Sequence, residues 1–209
     1  ADSVNGTFIK ADISTLDGTR ELGKRVLDVA GHVDILVNNA GLQHLDAVED
    51  FPDDEWARLI QVMLVAPFQL TKAVVPGMKE RGWGRIINLS SIHGLVASPF
   101  KSAYISAKHG IVGMTKTIAL EVGEFGITVN AICPGYSNTP LVQSQIGSQA
   151  RTRGISEEEV VEKVMLEPAA IKRLIDPEEI ANMAVFLATD QAKSITGASM
   201  VIDAGWTAR

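Results

Sequence analysis

Short apolar runs alternate along the chain with longer stretches in which apolar residues recur at helical spacing. The runs are nearly continuous rather than alternating with polar residues, which predicts strands buried on both faces of a parallel sheet. The predicted strands are residues 7–9, 33–37, 85–89, 127–132 and 199–202. The predicted helices are residues 16–30, 53–80, 104–121, 156–170 and 178–188.

This alternation of strands and helices predicts right-handed crossovers and hence an α/β fold with a doubly wound, Rossmann-like parallel sheet flanked by helices. Two helix starts are marked: Ser156 with Glu159 has the spacing of a capping box, and Asp176 precedes Pro177. Residues 133–154 are rich in Ser, Gln and Gly and predict a long irregular loop. Such loops are lids or binding loops, or else disordered. We therefore expect residues 136–170 to be a substrate-loop region within one domain spanning residues 1–209.

Composition narrows the function classes. With 209 residues, 46% apolar and 21% charged, the chain predicts one globular core. Its single cysteine, Cys133, cannot form an intrachain disulfide, which fits a reducing compartment. A net charge of -6 argues against nucleic-acid binding. The longest uncharged run, residues 126–150, is too polar to span a bilayer, and the first residues lack a signal-peptide pattern. We expect a cytoplasmic protein that binds neither nucleic acid nor membrane.

Candidate acid–base chemistry lies on the helix predicted over 104–121. Tyr104 and Lys108 are four positions apart and share one helix face, where a lysine charge would lower the pKa of the tyrosine. Most Tyr-x-x-x-Lys pairs are surface side chains without a catalytic role, so the motif alone is weak evidence for acid–base catalysis. This helix is also unusually rich in small residues, which suits close packing: Ala103, Ser106, Ala107, Gly110 and Gly113.

Polar and turn residues follow three of the predicted strands. Ser91 comes just after the strand at 85–89, and an Asn-Asn-Ala-Gly turn begins at Asn38. Pro134 and Gly135 follow the strand at 127–132. Ligands of open α/β sheets bind at the carboxyl ends of the strands, so these residues predict a site at one rim. Alternatively, each is simply a good turn former.

The chain resembles the short-chain dehydrogenase/reductase family in four motifs: Asn38-Asn39-Ala40-Gly41, Ser91, Tyr104-x-x-x-Lys108, and Pro134-Gly135 with Thr139. The resemblance implies NAD(P)-dependent hydride transfer at a secondary alcohol. Tyr104 would exchange the hydroxyl proton, Ser91 would hydrogen-bond the substrate oxygen, and Lys108 would hold the nicotinamide ribose. The remaining cofactor-binding residues that it implies are Asp12 at the adenine, Asn39, Ala40, Gly41, Pro134, Gly135 and Thr139.

A narrower likeness rests on the string from Ser91 to Tyr104, which is similar to that of the 3-hydroxybutyrate dehydrogenases. It implies that His93, Lys101 and two glutamines, Gln43 and Gln145, hold a substrate carboxylate. One cation with several neutral donors also suits a small anion on chemical grounds. Each residue can also be explained without a ligand: His93 as a turn residue, Lys101 as a solvated side chain, and the glutamines as loop surface. Trp206 is placed to cap a pocket, in this chain or in a neighbour.

Two features depart from the family. The family's relay asparagine, seven residues after the helix tryptophan, is replaced by Met63, whose thioether donates no hydrogen bond. We expect Met63→Asn to retain or raise turnover. The family's Thr-Gly-x-x-x-Gly-x-Gly loop, which holds the cofactor pyrophosphate, is absent from the sequence. We therefore expect the first βαβ unit to be missing from this chain, with residues 7–9 as the family's third strand and weak cofactor affinity as the result.

The leading hypothesis is an NAD-dependent enzyme that interconverts 3-hydroxybutyrate and acetoacetate, a reaction of ketone-body metabolism. NADP is not excluded, because the deciding residue follows the absent second strand. One alternative is a 3-oxoacyl thioester reductase acting on CoA or carrier-protein substrates. Another is a non-catalytic binding protein derived from a dehydrogenase. The spacing of histidines, with one cysteine, predicts no metal site. Family likeness implies a homo-oligomer, a tetramer.

Overall fold

Four parallel strands form the centre of the computed structural model, which describes residues 5–208 apart from the side chain of residue 152. The strands are β1 (Ile35–Asn38), β2 (Gly84–Leu89), β3 (Ile127–Pro134) and β4 (Ser199–Ile202), and they lie in the order β1-β2-β3-β4. Helices cover both faces of the sheet. The predicted α/β fold with a parallel, Rossmann-like sheet is confirmed.

Helices α1 (Leu16–Ala30), α2 (Asp53–Ile60), α3 (Ala66–Arg81) and α4 (Ser102–Val122) precede β3. Helices α5 (Pro140–Arg153), α6 (Glu157–Val160) and α7 (Pro177–Ala188) follow it. Neighbouring residues of β2 point to opposite faces, as the pleat requires. Ile86 packs with α3 and α4 in one apolar cluster, and Ile87 packs with Leu187 of α7 in another.

A buried chain of side-chain hydrogen bonds joins β1, β2 and α4. Asn38 Nδ2 donates to Asn88 Oδ1 at 2.8 Å, and Asn88 Nδ2 donates to Thr115 Oγ1 at 2.9 Å. Asn38 and Asn88 are also partners in the strand register. The amides therefore satisfy one another inside the core, where an unpaired amide would cost about 1–3 kcal/mol.

The predicted helix over 53–80 is one continuous helical stretch, Asp53–Arg81, with a π-helical turn at Gln61–Val65 between α2 and α3. By length and composition, this stretch is also the one helix among residues 5–208 that is apolar enough to cross a membrane. In the structure it packs against α1, α4 and the sheet. Leu59, Met63 and Met78 of this stretch belong to the protein core, whereas Trp56 and Phe68 stay exposed.

Capping residues set the ends of several helices. Thr15 caps α1, and Gly31 ends it with a φ of +74°, a conformation that favours glycine. The predicted capping box of Ser156 with Glu159 is formed, and Asp176 is the N-cap of α7, where its amide donates to the Glu179 carboxylate at 3.0 Å. The predicted starts of α6 and α7 are thereby confirmed to within one residue.

The prediction of a strand at residues 7–9 is wrong. These residues make no strand pairing, and β1 has β2 as its single strand neighbour in the described part of the chain. Residues of β1 are correspondingly exposed: Ile35 and Val37 keep 45% and 46% of their surface. A short β-rich run is a strand only where a neighbour supplies the hydrogen-bond ladder, and this one has none.

The prediction of an irregular loop over 133–154 is also wrong. Strand β3 continues to Pro134, and α5 fills residues 140–153. Thr139 caps this helix by accepting from the Val142 amide at 3.4 Å, Pro140 follows the cap, and Gly154 ends it. The helix lacks amphipathic periodicity, so the hydrophobic pattern did not reveal it.

The helix predicted over 156–170 is shorter than expected. Helix α6 covers four residues and a π-helical turn continues it over Val161–Met165. Beyond Leu166 the backbone turns, with Pro168 in the part that is not helical.

Candidate active site

The catalytic trio expected from the sequence lies together at the junction of β2 and α4. Lys108, 4% exposed, donates from Nζ to the backbone oxygen of Leu89 at 2.6 Å. Its Nζ lies 5.5 Å from the ring centroid of Tyr104. Ser91, 7% exposed, hydrogen-bonds with the Tyr104 hydroxyl and accepts from the amide of His93 at 3.1 Å. The chain thus presents a hydroxyl, a phenol and an ammonium group at one rim.

The protonation of this trio differs from the expectation in one respect. Burial raises the pKa of Tyr104, and only the hydrogen bond from Ser91 lowers it. Lys108 is not among the causes of this shift, and its ammonium donates to the Leu89 carbonyl. Burial also lowers the pKa of Lys108 to about 8. In this state the phenol is therefore neutral and able to donate a proton.

A cleft of about 520 Å³ opens beside the trio, between the carboxyl ends of the strands and helices α5 and α7. Seven of the residues expected at a cofactor line it: Asn39, Gly41, Tyr104, Lys108, Pro134, Gly135 and Thr139. Apolar side chains that the sequence did not point to form another wall: Val142, Ile180, Ala181, Ala184 and Val185. Flat apolar walls with a few polar groups fit a nicotinamide and its ribose.

Two residues expected at the cofactor lie outside this cleft. Asp12 is exposed, and its carboxylate accepts from the Ser14 amide at 2.9 Å. Ala40 lines a neighbouring apolar groove between β1 and the helices, which Asn39 also borders. The structure brings neither residue to the catalytic trio.

The four residues expected at a substrate carboxylate line a second space, which we call the inner cavity. Gln43, His93, Lys101 and Gln145 surround a volume of about 50 Å³ together with Ser91, Tyr104 and Tyr136. Gln43 Oε1 and His93 Nε2 are buried there without a hydrogen-bond partner. Unpaired buried polar atoms at a cavity are typical of a site that a polar ligand completes.

Lys101 supplies the positive charge of the inner cavity. It is 4% exposed and donates to the Tyr136 hydroxyl at 3.4 Å. Burial, with a contribution from the charge of Arg153, lowers its pKa to about 8. Burial, with the charge of Lys101, lowers the pKa of His93 to about 3. At neutral pH the cavity thus holds one ammonium and a neutral imidazole.

Met63 lies in the π-helical turn between α2 and α3. It is 1% exposed and packs with Leu59, Val62, Ala103 and Ala107. It therefore packs against small residues of α4, the helix that carries Tyr104. Among residues 5–208, the Lys108 ammonium donates to the Leu89 carbonyl and not to the side chain of residue 63.

Tyr136 and Trp206 complete the site. Tyr136 follows the Pro-Gly turn, and burial raises the pKa of its hydroxyl to about 12. The ring centroids of Tyr136 and Trp206 each lie 6.2 Å from that of His93. Trp206 lines a cavity of this chain, and its indole donates to the Met165 carbonyl at 3.2 Å. Residues 5–208 contain no group of three side chains able to hold a metal ion.

Comparison with known proteins agrees with this geometry. A family model described as enoyl-(acyl carrier protein) reductase matches residues 1–207. A D-beta-hydroxybutyrate dehydrogenase of Rhizobium meliloti is 53% identical over 95% of this chain and 77% of its own length. One of Cupriavidus necator is 45% identical over the same shares. The 3-oxoacyl-[acyl-carrier-protein] reductase of Vibrio cholerae is 33% identical over 96% of this chain and 78% of its own.

The family model spans almost the whole chain, and the Ser, Tyr and Lys of the motif lie together at the mouth of a cleft that fits a nicotinamide. The chain belongs to the short-chain dehydrogenase/reductase family, and it is an oxidoreductase that uses a nicotinamide cofactor.

Proposed function

We propose that this protein interconverts 3-hydroxybutyrate and acetoacetate with NAD. The observation that carries the proposal is the inner cavity, where one buried ammonium and several neutral donors adjoin the catalytic trio. Its single cation and neutral donors fit the carboxylate of a short free acid. The two D-beta-hydroxybutyrate dehydrogenases with 53% and 45% identity support the same substrate.

In the proposed complex, Lys101 holds the substrate carboxylate, with Gln43, Gln145 and His93 completing its hydrogen bonds. Ser91 hydrogen-bonds the reacting oxygen and orients it toward the Tyr104 phenol. Positioning two reacting groups in this way removes much of the entropic barrier of the reaction.

Tyr104 transfers the proton. With its pKa raised, the neutral phenol is a donor, which suits reduction of the ketone. Oxidation of the alcohol needs the phenolate form of Tyr104. A positive charge added near the phenol would favour this form. A bound nicotinamide would supply the hydride acceptor, and Lys108 and Thr139 are the residues proposed to hold its ribose and carboxamide. NAD as the cofactor, a cytoplasmic location and a homotetramer are further parts of this proposal.

The test is the formation of NADH from 3-hydroxybutyrate at millimolar cofactor. Replacing Tyr104 by phenylalanine should lower kcat by about 10²–10⁴-fold, the usual contribution of acid–base catalysis. Lys101→Ala should raise the KM for the free acid while the KM for its ethyl ester, which has no charge for Lys101 to bind, stays nearly unchanged. Equal effects on acid and ester would contradict the proposed carboxylate site.

The 3-oxoacyl thioester reductase remains the alternative, favoured by the Vibrio cholerae relative. An enzyme of that kind would reduce an acetoacetyl thioester better than acetoacetate. It would also lose little activity on Lys101→Ala. Rates with acetoacetate and with an acetoacetyl thioester, measured on the wild type and on Lys101→Ala, separate the two hypotheses.

A further inference from the structure

A separate space of about 210 Å³ lies on the far side of Lys101 and Tyr136 from the inner cavity, and we call it the outer cavity. Only these two residues line both spaces. At about 30 Å³ per molecule, its volume corresponds to about seven water molecules, enough for a small organic acid. Part of its wall is apolar and is formed by Pro99, Phe100, Val164 and Trp206.

Two neutral donors in the wall of the outer cavity have no partner. Gln149 is 3% exposed, and its Nε2 is buried without a hydrogen bond. The Ser98 hydroxyl is buried without one as well. A buried amide left unpaired costs about 1–3 kcal/mol, so these donors are suited to a ligand that accepts hydrogen bonds.

The charges of the outer cavity favour an anion. Arg153 and Lys101 both line it, and the charge of Arg153 is near enough to lower the pKa of Lys101. One carboxylate, Asp46, also lines it, but that group accepts from the Ala47 amide at 3.1 Å. Asp46 also lies 3.5 Å from His44 Nε2, without hydrogen-bond geometry. Two cations therefore face one carboxylate, which leaves the cavity with an excess of positive charge.

We propose that the outer cavity is a second binding site, which takes a small organic carboxylate separately from the substrate. Arg153 and Lys101 would hold the carboxylate, Gln149 and Ser98 would donate to it, and the apolar wall would cover a short alkyl chain. The site lies outside the catalytic trio and goes beyond the proposed function. Because Lys101 borders both cavities, an anion in the outer cavity competes for its charge and weakens carboxylate binding in the inner one.

The indole of Trp206 is the readout: it lines the outer cavity and also lies 6.2 Å from the His93 ring of the inner one. Its response is therefore assigned to the outer cavity by its loss on Arg153→Gln and Gln149→Leu. We would titrate ¹⁵N-labelled protein with butyrate, which has no 3-hydroxyl, and follow the three tryptophan indole resonances. The Trp206 resonance should shift to saturation, while those of Trp56 and Trp83 stay in place. A Trp206 resonance that does not respond would overturn the proposal.

Arg153→Gln should weaken the Trp206 titration about tenfold or more, and Gln149→Leu should weaken it without changing any charge. Arg151→Gln is the matched control, because Arg151 lies on the same helix and hydrogen-bonds Ser148 instead. Equal weakening by the two arginine variants would mean only a general charge effect and would sink the proposal. A site that takes inorganic phosphate but not butyrate would sink it as well.

Rate measurements on the same proteins test the proposed function independently of the titration. Arg153→Gln should keep the rate of 3-hydroxybutyrate oxidation at low substrate within about twofold, and it should reduce inhibition by excess butyrate. If the wild-type protein has no dehydrogenase activity, the proposed function fails while the Trp206 titration still decides the outer site.

Discussion

At the residue scale, the most consequential side chain is Lys101, a buried ammonium that meets a tyrosine hydroxyl rather than a carboxylate. Burial disfavours its charged form, which is why its pKa falls to about 8. A protein gains nothing in stability from such a group, because the unfolded chain keeps the proton up to higher pH. The carboxylate proposed for the inner cavity would neutralise it.

This pKa predicts how carboxylate binding depends on pH. Below about pH 7 Lys101 is charged, and the inhibition constant of butyrate against 3-hydroxybutyrate should be constant. Above about pH 8 the free enzyme loses that proton, so affinity should fall by about tenfold per pH unit. Lys108 has a similar pKa. The profile is therefore compared with that of Lys101→Met, which should bind butyrate weakly and without this dependence. A flat profile in the wild type would contradict the assignment.

Met63 illustrates how the structure alters a prediction made from the sequence. We expected Met63→Asn to retain or raise turnover, and that expectation still awaits its test. The structure adds a cost, because the amide would be buried in an apolar cluster without a described partner. We expect the free energy of unfolding to fall by about 1–3 kcal/mol.

Denaturant unfolding and the kcat of the folded protein measure these two effects separately. Met63→Leu is the control, since it keeps the side chain apolar and should cost less than about 1.5 kcal/mol. A collapse of kcat with the fold intact would show that Met63 belongs to a different pocket design.

At the element scale, α4 is held close to the turn after β2 by a glycine. A Cβ at Gly94 would lie 2.4 Å from Ser90 Oγ and 2.7 Å from the Lys108 carbonyl. Neither distance is tolerable, and the carbonyl belongs to helix backbone that cannot rotate away. The helix that carries Tyr104 and Lys108 would have to move.

Gly94→Ala should therefore lower both stability, by about 1–3 kcal/mol, and kcat. Gly113→Ala on the same helix is the matched control, because a Cβ there meets nothing within 4 Å. It should leave kcat unchanged and stabilise the protein by up to about 1 kcal/mol, since alanine is the better helix former. Thermal unfolding and steady-state rates measure both. If Gly94→Ala kept full activity, the close approach would not be what positions α4.

Elements were predictable where local chemistry specifies them. Helix α1 has its cap, its apolar spacing and its terminal glycine in the sequence, and its predicted bounds are confirmed. Helix α5 was missed because its buried residues include Gln145 and Gln149, whose polarity hides the core-facing side. The catalytic trio follows from a motif, but Gln149 and Ser98 become neighbours of Lys101 only through tertiary packing. No spacing in the sequence encodes that contact.

At the scale of the whole molecule, the described residues form the catalytic part of the site more completely than the part that would hold the cofactor phosphates. The trio, the inner cavity and the nicotinamide side of the cleft are formed by described residues. The printed sequence has no glycine-rich loop of the family type to hold a pyrophosphate. The edge of β1 away from β2 has no strand beside it in the described part of the chain.

The expectation of weak cofactor affinity, made from the sequence, has a direct test. If the dissociation constant is about 1 mM, then 1 mM NAD stabilises the fold by only about 0.4 kcal/mol and raises Tm by about 1–2 °C. Differential scanning fluorimetry with and without NAD makes this measurement. NADP serves as the comparison, and AMP, which lacks a nicotinamide, as the control. A shift of many degrees would show that the residues present hold the cofactor without such a loop.

The hydrogen bond between Asn38 and Asn88 has a consequence for the precision of the site. Strand β1 has four residues and, within residues 5–208, one strand neighbour, so little in its backbone prevents it from sliding along β2. Sliding by one residue would separate the two side chains and leave Asn38 Nδ2 and Asn88 Oδ1 without each other as partners. The pair therefore fixes how far along the sheet β1 ends. It thereby sets the height at which Asn39 and Gly41 stand relative to Ser91 across the cleft.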